Sequence, residues 1–225
     1  MPGSNIEAVV FDLDGVIVDS EHVWDAAREA LARERGGRWH EGAQQDMMGM
    51  SSVEWSRYMH DVIGLKDPPE EISAEVARRL EATYREELPL IDGATEAVAR
   101  LAERWPLAVA SSSNRPIIDL VLVLSGLDRF FRATVSSEEV SRGKPAPDVY
   151  LEAARRLGAD PERSAAVEDS HNGILSARAA GMRVVAIPNM RFPPGEEALS
   201  AADVVIPSIG ELTPDVVEGS ELPRR

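Results

Sequence analysis

The sequence predicts an α/β protein: a doubly wound parallel sheet interrupted by a block of helices. Three observations carry that expectation. Short apolar runs without alternation recur along the chain, as in strands buried on both faces of a parallel sheet. After residue 92 each run is followed by a segment of helical period, the rhythm of βαβ units. Between residues of about 20 and 88 that rhythm stops, and only helical periodicity remains.

Ala8-Val9-Val10-Phe11 is the first strand. In the insertion, Val23, Trp24, Ala27, Ala30 and Leu31 mark one helix, and Trp55, Tyr58, Met59, Val62 and Ile63 a second. Ile72, Val76, Leu80, Tyr84 and Leu88 mark a third. Trp24 and Trp55 sit at helical spacing among apolar neighbours and read as core. The α/β pattern then resumes. A helix over 93–104 precedes the strand Leu107-Ala108-Val109-Ala110, and a helix over 115–124 precedes a short strand at Thr134-Val135. A further helix opens near Pro147, which suits a first helical position. The strand Ala165-Ala166-Val167 leads to a helix capped by Ser170 and stopped at Gly181. Val184–Ile187 and Val204–Ile206 complete the sheet as 184–187 and 204–206, and the tail after Thr213 is expected to fray. The expected organisation is a core of residues 1–19 and 89–225, with residues 20–88 inserted as a helical unit.

The 225 residues hold 24 Lys and Arg against 39 Asp and Glu, a net charge of −15. Such an excess disfavours nucleic acid and anionic membranes as partners, since both demand a basic footprint. The absence of Cys excludes a disulfide framework, a thiolate zinc site and a Cys nucleophile, and fits a reducing compartment. Residues 1–7 lack a basic leader, and the apolar run that follows is cut by Asp12 and Asp14. No apolar stretch approaches the length of a membrane span. A soluble, cytoplasmic protein, monomeric or at most dimeric, is expected.

Chemistry gathers at four strand ends. The first strand runs into Asp12-Leu13-Asp14-Gly15, where a turn brings two carboxylates to one small volume; read alone, this is either a hard-cation site with a carboxylate nucleophile or a solvated loop. The second ends in Ser111-Ser112-Ser113-Asn114 at a helix start, an arrangement that either binds an anion or merely caps the helix. Lys144 stands between Gly143 and a Pro-x-Pro segment that fixes the backbone around it. Glu168-Asp169-Ser170 closes the last of these strands. Taken in order, a carboxylate pair, hydroxyl donors, a cation and a second carboxylate pair form the inventory required for phosphoryl transfer through an aspartyl-phosphate.

These residues resemble the haloacid dehalogenase superfamily. Asp12-Leu-Asp-Gly-Val-Ile-Val-Asp-Ser20 fits the first motif of its phosphatases, Ser111 the second, Lys144 in G-K-P-x-P the third, and Glu168-Asp169 in E-D-S-x-x-G the fourth. The resemblance covers residues of about 5–210. It points to the branch with β-phosphoglucomutases and sugar-phosphate phosphatases, and implies a Rossmann-like core with a helical cap. It also implies that Asp12 attacks phosphorus and that Asp14 protonates the leaving oxygen before activating water. Mg²⁺ is then held by Asp12, the main-chain carbonyl of Asp14 and Asp169, with Glu168 nearby. Ser111 and Lys144 neutralise the phosphoryl oxygens, with Ser112 and Asn114 as further substrate contacts. Which contact keeps Asp14 protonated is left open.

The expected partner is a small phosphorylated metabolite, a sugar or polyol phosphate. The alternative is a phosphosugar mutase that reuses the same phospho-aspartate. The family's mutases place a His where this chain has Trp24, and a phosphate-gripping Arg where it has Ser52, so hydrolysis is favoured. A receiver-type signalling module is disfavoured because Ala110-Ser111 occupies the strand end where its phosphorylated Asp belongs. A dehalogenase is disfavoured by Asp14 and Gly15.

Overall fold

Strands with apolar residues on both sides can be accommodated only in the middle of a layered structure. That is where the computed structural model places them; it describes residues 6–48 and 50–219. The strands are β1 (Ala8–Phe11), β2 (Leu107–Ser111), β3 (Phe131–Ser136), β4 (Ser164–Glu168), β5 (Arg183–Ala186) and β6 (Val204–Val205). They form one sheet in the order β3-β2-β1-β4-β5-β6, with every pairing parallel. β1, β2 and β4 are buried along their whole length.

The helices are α1 (Glu21–Glu34), α2 (Ala43–Met47), α3 (Ser52–Asp61), α4 (Pro69–Glu86), α5 (Ala94–Ala102), α6 (Arg115–Ser125), α7 (Asp148–Leu157), α8 (His171–Ala179), α9 (Glu196–Ala201) and α10 (Pro214–Glu218). Alternation along each strand divides the core into two layers. Val9, Phe11, Val109, Val167 and Val185 pack on one side with residues of α5, α6 and the inserted helices. Val10, Ala108, Ala110, Ala166 and Val184 face the other side, against Val149 and Tyr150 of α7 and Ile174 of α8.

Between β1 and α5 the described chain is helical, as expected from the loss of strand-like runs. Three short helices, α2, α9 and α10, go beyond the sequence expectations. The last replaces the expected fraying at Thr213: the Thr213 hydroxyl caps Val216 N at 3.3 Å, Pro214 opens the first turn, and Val216 and Val217 are buried. Residues 1–5, part of the segment read as lacking a leader, lie outside the described residues, as does Gly49. Among the described residues no helix is long and apolar enough to cross a membrane.

The strand order places a topological switch point at β1. The chain proceeds from β1 to β2 and β3 on one side, then crosses to β4 on the other. Loops leaving neighbouring strands diverge there and open a crevice at the carboxyl ends. Two glycines let the loops close over it. Gly15, at φ +78°, turns the chain after β1, and a Cβ on it would lie 1.9 Å from Asp169 Oδ2. A Cβ on Gly173, in the first turn of α8, would lie 1.8 Å from Glu168 Oε1.

Helix propensity alone makes Gly173→Ala stabilising by about 0.5–1 kcal/mol. The close approach of Glu168 reverses that sign, so the variant is expected to unfold at lower urea concentration than the parent. A raised midpoint would show that Glu168 moves aside at no cost.

Candidate active site

β1 delivers Asp12 directly from the sheet: its backbone N–H donates to Val167 O at 2.9 Å, and the residue is 5% exposed. Beyond it the chain folds back. Ile17 N and Val18 N both donate to Leu13 O, and Gly15 N donates to Val18 O at 2.7 Å, so Asp14 is held beside Asp12. From β2, Ser111 points its hydroxyl at Asp14 Oδ2 (3.2 Å), and Ser113 donates to the same oxygen at 2.7 Å. Ser20 and Trp24, which open α1, donate to Asp14 Oδ1 at 2.6 and 3.1 Å. Four donors therefore converge on one carboxyl group. Three are serine hydroxyls, which can reverse direction when the carboxyl carries a proton.

Lys144 lies in the connection between β3 and α7 and is 5% exposed. Its Nζ donates to Asp12 Oδ1 at 2.7 Å and to Glu168 Oε1 at 2.6 Å. The Tyr150 hydroxyl donates to that same glutamate oxygen at 2.7 Å, and the ring centroid lies 5.0 Å from Nζ. The second oxygen of Glu168 accepts from Asp169 N, Ser170 N and the Ser170 hydroxyl. Glu168 is thus fully engaged by protein donors. Asp169 is not: its Oδ1 is buried and has no hydrogen-bond partner.

The electrostatics follow from this crowding. Burial pushes the Asp12 carboxyl up to about 8, with Glu168 and Asp14 adding to the effect and Lys144 opposing it. Asp169 is raised well above the carboxylate range by burial, then by Glu168 and Asp12. Burial works to lower the Lys144 pKa, but Asp12 and Glu168 outweigh it and hold the ammonium above its ordinary value. One cation serves three buried carboxylates whose oxygens lie within 4.8 Å of one another.

Asp12, Asp14, Ser112, Lys144 and Asp169 all line one cavity. Ser112 Oγ is buried there without a partner. Ser111 sits behind the lining, where its hydroxyl also accepts from Ser113 N at 2.9 Å. Asn114 lies elsewhere: its amide donates to Ser73 and to Glu138 Oε1, and Ser52 donates to the same glutamate oxygen, so these contacts tie α3 and α4 to the core. Neither Ser113 nor Asn114 caps α6 with its side chain.

Several lining residues went unassigned in the sequence reading. Trp24 and Trp55 are buried, as expected of core, yet both also face the cavity. Glu21 and Arg28 join them there. The available signal was the i, i+4, i+8 stripe of Ser20, Trp24 and Arg28, immediately after the acidic turn. The Glu21 carboxyl is pushed up to about 7 by burial, then by Asp19 and Asp14. None of the four histidines lines the cavity.

The family model of haloacid dehalogenase-like hydrolases matches residues 6–181. Hexitol phosphatase B of Escherichia coli is 32% identical, with 92% of this chain and 95% of the relative aligned. The fructose-1-phosphate phosphatase of the same organism is 34% identical over 79% of this chain and 94% of its own length. A solved β-phosphoglucomutase from Clostridium difficile superposes with a TM-score of 0.82 over 95% of this chain and 96% of its own; at 22% identity that likeness shows the fold alone. With the family model spanning all four strand-end clusters, the chain belongs to the haloacid dehalogenase-like hydrolases.

Proposed function

We propose that the protein hydrolyses small phosphorylated carbohydrates, sugar or polyol monophosphates, through a phosphorylated Asp12. The observation that carries this reading is the pairing of two differently held carboxyl groups on one cavity: Asp12 against the Lys144 ammonium, and Asp14 inside a cage of hydroxyls and an indole N–H. The similarity to hexitol and fructose-1-phosphate phosphatases supports the substrate class. Residues 20–88 act as the cap over the reaction, and residues 1–19 and 89–225 as the core.

Asp12 contributes the attacking oxygen. As its bond to phosphorus forms, the phosphorus–oxygen bond to the carbohydrate breaks, and Asp14 delivers a proton to the departing oxygen. Asp14 then takes a proton from water, whose oxygen displaces Asp12 and releases inorganic phosphate. Ser111, Ser112 and Lys144 are the donors for the phosphoryl oxygens, and Ser112 is the one whose hydroxyl is uncommitted. Asn114 is committed to holding the cap helices instead.

The residues fit a divalent metal. Asp169 Oδ1 is a buried, unpartnered oxygen, and the donors around it are all hard. Asp12, Asp169 and the main-chain carbonyl of Asp14 would hold Mg²⁺, while Glu168, occupied by Lys144 and Tyr150, orients the lysine ammonium. Bound there, Mg²⁺ supplies positive charge against the phosphoryl oxygens. Trp24, donating to Asp14 where a mutase would place a His, favours hydrolysis over transfer back to the sugar.

Purified protein is expected to release phosphate from hexitol 6-phosphates and fructose 1-phosphate, and to lose that activity with EDTA. Asp12→Asn is expected to abolish turnover and leave the circular dichroism spectrum unchanged. Turnover indifferent to EDTA, or an active Asp12→Asn enzyme, contradicts the reading. Conversion of β-glucose 1-phosphate to glucose 6-phosphate with a catalytic bisphosphate would establish the mutase instead.

A second expectation concerns stability. Asp12 at about 8 and Glu21 at about 7 hold protons in the folded state that the unfolded chain has released above its ordinary carboxylate values of 3.8 and 4.5. Stability of the metal-free protein therefore falls as pH rises from about 4 to about 8, then levels off. Mg²⁺ is expected to offset the fall, and Asp169→Asn to remove most of that response. Melting temperatures at pH 5.5 and 8 with and without Mg²⁺ measure both. A metal-free protein that grows more stable over this window contradicts the assignment.

A further inference from the structure

Within the cavity lining the cations are Arg28 and Lys144. Lys144 is committed to Asp12 and Glu168. Arg28 is 8% exposed, and among the described residues no hydrogen bond or ion pair holds its guanidinium; Nε is buried without a partner. Its neighbours are instead two aromatic rings, with the guanidinium carbon 4.9 Å from the Trp24 ring centroid and 4.7 Å from that of Trp55. The rings are 5.9 Å apart and inclined at 63°. The carboxyl groups that attract it do so only through space: Asp25 from its own helix and Asp14 from the turn after β1. Burial pushes its pKa down to about 10, which leaves it charged at neutral pH.

Burying a guanidinium without an anion is costly, and two tryptophans recover only part of the lost hydration. What they leave is an uncommitted fork: held against indole rings rather than by a carboxylate, the guanidinium keeps N–H groups that match a carboxylate or phosphate bidentately. Arg28 also stands one helical turn beyond Trp24 and two beyond Ser20, the two residues at the start of α1 bonded to Asp14, and so further from the reacting carboxyls along the same face.

We propose that Arg28 is a specificity residue that reads a second anionic group on the substrate, a carboxylate or a second phosphate carried away from the phosphate being cleaved. This rests on the phosphatase reading above, and it narrows the substrate from phosphorylated carbohydrates in general to those with two anionic ends. A guanidinium that merely packs against the tryptophans would affect neutral and charged substrates alike.

The test compares kcat/KM for two matched pairs, glucose 6-phosphate with 6-phosphogluconate, and fructose 1-phosphate with fructose 1,6-bisphosphate. The parent enzyme is expected to prefer the doubly anionic member of at least one pair by about tenfold or more. The pair that shows it distinguishes carboxylate from phosphate. Arg28→Gln is expected to collapse that ratio to within about threefold, chiefly through KM, and Arg28→Lys to retain part of it, since charge survives without the planar fork. Equal turnover of both members by the parent enzyme overturns the proposal, and so does a preference that Arg28→Gln leaves intact. The first outcome needs no variant, so it stands even if a substitution loosens the cap. Failure to cleave any ester, p-nitrophenyl phosphate included, overturns the phosphatase reading itself and this inference with it.

Discussion

The buried ammonium of Lys144 is the contact on which the rest of the site depends. It bridges Asp12 and Glu168 at hydrogen-bond distance where almost no water reaches. A cation in such a place is tolerable only because carboxyl oxygens of both neighbours hold it, and it in turn opposes the effect of burial on those carboxyls. The sheet topology makes the arrangement available. Asp12 comes from β1, Glu168 from the adjacent β4, and Lys144 from the connection after β3, so the ion pairs lie across the switch point. Tyr150 and the backbone after β4 fix Glu168, which in turn fixes Lys144. Removing a side chain from this chain of contacts would leave a buried charge uncompensated rather than simply delete a bond.

The balance is nevertheless incomplete. Asp169 adds a further buried carboxyl with an unpartnered oxygen; burial raises both it and Asp12, and the neighbouring carboxyl groups add to the effect. A site in that condition is built to accept positive charge from outside, as hard-oxygen metal centres are. Asp14 is treated differently. Hydroxyls and an indole N–H surround it instead of an ammonium. Two aspartates separated by one residue acquire different chemistry because different elements reach them.

Much of this was legible in the sequence. Asp12, Asp14 and Asp169 were identifiable because each follows an apolar run, and a parallel sheet gathers such ends together; Lys144 was identifiable from the Gly and Pro-x-Pro that fix the backbone around it. The helical insertion was legible from the loss of strand-like runs over 20–88. Tyr150 was hidden, since a buried Tyr at helical spacing reads as core until its hydroxyl is seen on Glu168. Asn114 misled in the other direction: its place after Ser111 suggested a substrate contact, but Ser73 and Glu138, brought in from elsewhere in the chain, claim its amide. Trp24, Trp55 and Arg28 show a third kind of failure. Apolar periodicity reports that a face is buried, and it does not report whether the buried face meets a core or a ligand cavity. The net charge of −15 likewise described the surface while the site turned on one lysine and one arginine.

The central claim is that the metal-free site buries more carboxyl groups than Lys144 can keep ionised. Carboxyl-carbon NMR of the metal-free protein, with the Asp12 signal assigned by its absence from Asp12→Asn, measures this directly as a function of pH. Asp12 is expected to titrate near 8, and higher still in Lys144→Met. An Asp12 carboxyl that titrates in the ordinary range near 3.8, or that is unmoved by loss of the lysine, would contradict the account.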